Sequence, residues 1–119
     1  METIKIPKHL SFILNQLFEI ENKLKNIKEP SSIQRNIDRM KDYFETDALA
    51  NGQGLAYYNP IGESYDETRT DCEASISGAS HENLEIIEVI KPIIYAIVGN
   101  TKLVVQKAIV IVQTKNTNQ

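Results

Sequence analysis

Asp66, Glu67, Asp71 and Glu73 put four acids into one short stretch of the chain. Carboxylate oxygens serve hard cations and proton transfer, so this stretch is the first place to look for chemistry. A calcium loop also needs regular ligand spacing and a central glycine, and the segment from Asp66 to Asp71 has neither. Cys72 and His81 could be drawn as nucleophile and base. Nothing in the sequence positions a third group or an oxyanion hole for them, and a strand cysteine is usually a small core residue. Gly52-Gln53-Gly54 lacks the third glycine of a phosphate-binding loop and does not follow a strand. Tyr57, Tyr58, Tyr65 and Tyr95 are scattered, with too little positive charge nearby for a nucleic-acid platform. The expectation is a protein with no catalytic residue, no metal and no cofactor.

Composition points the same way. The chain has 119 residues and a formal charge of −3, which argues against nonspecific nucleic-acid binding. Residues 1–50 balance eight basic against eight acidic side chains, whereas Glu63 to Glu88 holds eight acids against Arg69 alone. Beyond that come only Lys91, Lys102, Lys107 and Lys115. An acidic loop region followed by a basic hairpin could steer a protein partner; it could equally be a solvated loop beside charged strand edges. Cys72 is the only cysteine, so an intrachain disulfide is excluded and a reducing compartment fits. The apolar start Leu10 to Leu14 is broken at Asn15 and Gln16, and nothing reaches the length of a membrane span. These features predict a soluble, cytoplasmic protein that binds neither nucleic acid nor membrane.

The elements that must position any site are legible as helices first and strands second. Pro7 stands at or near a first helical turn. Leu10, Ile13, Leu17, Ile20, Leu24 and Ile27 then alternate steps of three and four, an a/d seam that fits either a dimer interface or packing within the chain. Glu29-Pro30 ends this helix, and Ser31 with Gln34 reads as a capping box opening a second. Its apolar face runs through Ile33, Ile37, Met40 and Phe44 to about Leu49. Asn51-Gly52-Gln53-Gly54 is the clearest break and divides a helical dimerisation segment, 1–50, from a β-domain, 51–119. A short strand over Leu55 to Tyr58, a turn at Asn59-Pro60-Ile61-Gly62, a loop from Tyr65 and a half-buried strand starting at Cys72 lead to the longest apolar run.

That run, Leu84 to Thr114, is two Ile/Val-rich segments joined at Gly99-Asn100, a tight hairpin signal. The turn sets Val98 against Thr101 and, carried outward, Ile90 against Ile109. Pro92 cannot donate to a ladder and belongs at an edge, a bulge or a break between two shorter strands. The fold class is therefore α+β: an N-terminal helical hairpin followed by a small, mostly antiparallel β-domain.

The run Gly54-Leu55 and then Asn59-Pro60-Ile61-Gly62-Glu63-Ser64-Tyr65-Asp66 resembles the entry to the β-domain of GrpE, the nucleotide-exchange factor of DnaK-type chaperones. Glu88 to Tyr95 is similar to that family's E-V-L-Q-K-G-Y strand, and Val104 to Val112 to its closing V-L-R-P-A-x-V-x-V. The sequence departs from the pattern at Glu67, at Thr70-Asp71 and at Lys107, and its helical part is far shorter than the family's. The resemblance implies a homodimer formed through the helices and a β-wing that presses on the chaperone's nucleotide-binding domain so that ADP leaves. It implies partner contacts at Ile90 or Lys91, at Lys102 and at Val112. A noncatalytic adaptor or assembly protein on the same scaffold is the alternative.

Overall fold

The structure is a computed structural model that describes residues 6–28 and 31–115. Two helices come first, α1 (Lys8–Leu24) and α2 (Ser31–Asp47). Seven strands follow: β1 (Gly54–Tyr58), β2 (Ser64–Tyr65), β3 (Cys72–Ile76), β4 (Leu84–Lys91), β5 (Ile93–Val98), β6 (Thr101–Gln106) and β7 (Ala108–Thr114). Pro7 is the N-cap of α1, where its missing N–H costs no helical bond. The helix tightens at its end, with Asn26 and Ile27 donating to Lys23 and Leu24 three residues back. Ile27 therefore lies beyond the helix, and the seam expected to reach it stops a turn earlier. Of the capping box expected at Ser31 and Gln34, the Ser31 side chain lies outside the described residues; the Gln34 amide donates to Glu21 and Asp38 at 2.9 and 3.0 Å.

The strands form two sheets, one ordered β1-β5-β6 and one ordered β2-β4-β7-β3. The turn between β5 and β6 is the expected Gly99-Asn100. Gly99 takes φ +62° while Asn100 stays out of the left-handed region, the pattern of a type II′ turn. Pro92 is fully buried and separates β4 from β5, and Lys107 separates β6 from β7. The long hairpin is thereby cut in two. Its inner halves belong to the three-stranded sheet and its outer halves to the four-stranded one. The Gln106 side chain donates to the Pro92 carbonyl at 2.9 Å, satisfying an acceptor at the cut.

The β4–β7 register departs from the one projected from the turn. Lys91, not Ile90, lies opposite Ile109, because the ladder shifts between Ile86 and Glu88 and again between Val89 and Lys91. Each shift inserts one extra residue, Ile87 in the first and Ile90 in the second. The strand at Cys72 forms as expected, but it pairs with β7 in parallel, Cys72 opposite Ala108 and Ile76 opposite Val112. The two-residue strand β2, which includes Tyr65 where a loop was expected to begin, pairs with the start of β4.

The chain divides into two compact units, and the division is not at residue 50. Residues up to Tyr57 together with Ile94–Val105 form the first; Tyr58–Ile93 together with residues from Gln106 onward form the second. The reason is the core of the first unit. Leu14 and Leu17 of α1 are buried with Leu55 of β1 and Ile94 and Ala96 of β5, so helix and sheet share one interior. The second unit buries Cys72, Leu84, Ile86, Val110 and Val112 on one face of its sheet.

Candidate partner-binding surfaces

The six seam residues separate into two rows with a heptad step. Leu17 and Leu24 are buried within the chain and Leu10 packs on the helix–sheet core, so this row is intrachain. Ile13 and Ile20 are 38% and 44% exposed on α1, and Ile27 is exposed beyond its end. On α2, Ile33 and Met40 are also exposed while Ile37 is buried. Each helix thus buries one stripe and leaves an apolar row open.

A polar cluster locks the buried stripes in register. Glu21 of α1 accepts from Lys41 at 3.3 Å, from Gln34, and from the Tyr57 hydroxyl at 2.6 Å. The Phe18 ring meets Tyr57 edge to face with centroids 6.0 Å apart, and Lys41 lies over the same Tyr57 ring. Burial pushes the Glu21 carboxyl up, but the bonds from Tyr57, Gln34 and Lys41 outweigh it and hold the group below its ordinary 4.5. Burial and the Glu21 charge raise Tyr57 above its ordinary value.

In the second unit the bulges at Ile87 and Ile90 turn both side chains outward, 45% and 49% exposed. Lys91 is exposed next to Ile90 and opposite Ile109, itself 36% exposed. Ile90 and Lys91 are thus brought together at the surface beside Ile109, which the sequence reading set against Ile90 without counting it among the partner contacts. Alternation along β7 sets Ile109 outward, since Val110 and Val112 face the core. Val112 is fully buried opposite Ile86, so the contact expected of it is corrected: it holds the sheet's core. Lys102 belongs to the first unit, exposed on β6 with its ammonium 5.8 Å from the Tyr95 ring centroid. Leu103 and Val104 beside it are both 43% exposed on this edge strand.

The acids singled out in the sequence serve local structure. Arg69 donates to Asp71 at 2.6 Å, to Glu63 at 2.7 Å and to the Ser64 carbonyl at 3.1 Å, tying the loop to its flanking strand. Asp66 Oδ1 accepts from the Thr68 amide at 2.8 Å and from its hydroxyl, and these bonds hold the carboxyl below the usual range. Cys72 is buried, and that burial pushes its thiol up to about 11. His81 lines a cleft with Tyr65, Ala74, Ile76 and Leu84, a lining that does not include Cys72.

No helix among the described residues is long and apolar enough to cross a membrane. No protein-family model, curated protein or solved structure matches the chain.

Proposed function

We propose that the chain is a GrpE-like cochaperone: a cytoplasmic homodimer that binds the nucleotide-binding domain of a DnaK-type chaperone and promotes ADP release without covalent chemistry. The observation that carries this reading is the double bulge of β4. It sets Ile87 and Ile90 in solvent beside Lys91 and Ile109, an apolar patch with one cation on a hydrogen-bonded sheet. Rigid aliphatic anchors next to a charge suit a protein partner. The choice of chaperone rests on the motif resemblance along β1, β4–β5 and β6–β7. The open rows Ile13–Ile20 and Ile33–Met40 support helix-mediated dimerisation.

Such a protein acts by binding the open state of the chaperone more tightly than the closed one, and it shifts the equilibrium only by that difference. The test is titration of the isolated nucleotide-binding domain in a calorimeter. Lys102→Glu and Ile90→Asp are each expected to weaken binding, Lys102→Glu by about threefold to tenfold and Ile90→Asp by more, with the circular dichroism spectrum unchanged. Unchanged affinity for either variant would remove that residue from the interface.

One observation favours a noncatalytic adaptor instead. Lys102 belongs to one compact unit and Ile90 and Lys91 to the other, and Val112 is core. An adaptor would use the β4 patch alone, so Lys102→Glu would then bind its partner normally while Ile90→Asp would not.

A further inference from the structure

The second unit contains a cleft of about 490 Å³ that neither its ion pairs nor the β4 patch uses. It opens on the core-facing side of the four-stranded sheet. Ile76 and Val112 are ladder neighbours and share that face, yet Val112 is fully buried while Ile76 is 37% exposed. The core cover therefore stops short of the end of β3, leaving Ile76 and Leu84 as an apolar floor. Tyr65 contributes an aromatic wall, and Asp66 and Glu67 stand at the rim.

Charge decides what fits. No lysine or arginine is among the described residues lining the cleft. The one arginine of the acidic stretch, Arg69, is held by Glu63 and Asp71. Asp66 uses only Oδ1 for both of its Thr68 bonds, and its depressed pKa keeps it ionised at neutral pH. Among the described residues neither carboxylate of the rim is in an ion pair, and the two stand with His81 over an apolar floor and beside an aromatic ring. A ligand complementary to rim, floor and ring carries an aliphatic stem and a planar cation able to stack on Tyr65 and to bridge carboxylates. The floor residues Ala74 and Ile76 sit on β3, which among the described residues has no strand on its outer side, so an extended segment can pair with that edge while its side chain enters the cleft.

We propose that this cleft is a receptor site for an arginine side chain presented by an extended segment of a partner polypeptide. The site lies on the sheet face opposite Ile109 and does not depend on the chaperone reading. The probe is the peptide acetyl-Val-Arg-Val-amide, titrated into the isotope-labelled full chain at low salt while NMR follows the Ile76 methyls and the His81 ring. Saturable shifts at both are expected. The citrulline peptide should bind about tenfold more weakly, since it loses the charge but keeps the shape. Glu67→Gln, an exposed loop substitution, should weaken the arginine peptide about threefold, and Ile76→Trp should abolish the shift at the His81 ring by filling the cleft. Equal binding of the citrulline peptide, or shifts confined to residues away from the cleft, would overturn the proposal. Ethylguanidinium binding as tightly as the peptide would overturn the polypeptide as source.

Discussion

Gly54 is a position in the first unit where the backbone leaves no room for a side chain. A Cβ there would lie 1.8 Å from the Glu45 carbonyl oxygen and 2.2 Å from its carbon, so the backbone of β1 can approach the end of α2 only as glycine. Both atoms are backbone and cannot swing away. Gly54→Ala is expected to cost about 1–3 kcal/mol, read as a lower urea midpoint, and an unchanged midpoint would mean that the two elements separate without penalty. Glu21 gives a pH signature. Its folded pKa lies below the ordinary 4.5, so its contribution to stability is complete above that value and is lost as pH falls through the folded pKa. Glu21→Gln should flatten the fall in thermal midpoint between neutral and acid pH. Tyr57 works in the other direction: its raised pKa means stability is lost as pH climbs past the ordinary 10. Cys72, with its thiol pushed up to about 11, should resist alkylation at neutral pH in the folded chain and react readily in denaturant. The sequence already suggested a core role for this cysteine. It could not reveal Gly54's, because Gly52 and Gly54 read alike as a helix exit and only the packing of β1 against the end of α2 tells them apart.

Elements are where local patterning was most informative and where its limits are physical. Helix spacing gave both helices, and Gly99-Asn100 gave the turn, because each depends on neighbours in the chain. Pro92 was readable as a break. Which sheet each half of the hairpin joins was not, since both halves are equally rich in Ile and Val. The bulges at Ile87 and Ile90 likewise answer to the partner strand β7, so extrapolation from the turn missed by one residue. The a/d seam was legible as a pattern but carried two meanings, and the structure assigns one row to the chain's own core. The remaining row makes a prediction at this scale. If Ile13, Ile20, Ile33 and Met40 form a homodimer interface, Ile20→Glu with Met40→Glu should convert the dimer to a folded monomer by sedimentation. A wild-type chain that sediments as a monomer would remove the helices from any dimer.

At the scale of the whole molecule the composition break at residues 51–54 suggested a boundary that the compact units do not follow. The chain passes between the units after Tyr57, after Ile93 and after Val105, so neither unit is one continuous segment. Sequence composition changes where helix gives way to strand; units divide where cores divide. A fragment spanning 51–119 should therefore lose the three-stranded sheet, because Leu55, Ile94 and Ala96 would lack Leu14 and Leu17. Amide exchange should find β5 and β6 unprotected in that fragment, and protection equal to the full chain would restore the boundary at residue 50. The proposed action of the intact chain on a chaperone is tested most directly by stopped-flow release of a fluorescent ADP analogue from the DnaK-type chaperone of the same organism, with and without the protein. Acceleration that saturates with concentration, and that Ile90→Asp reduces, is the predicted result. No acceleration by a folded, dimeric chain would contradict it.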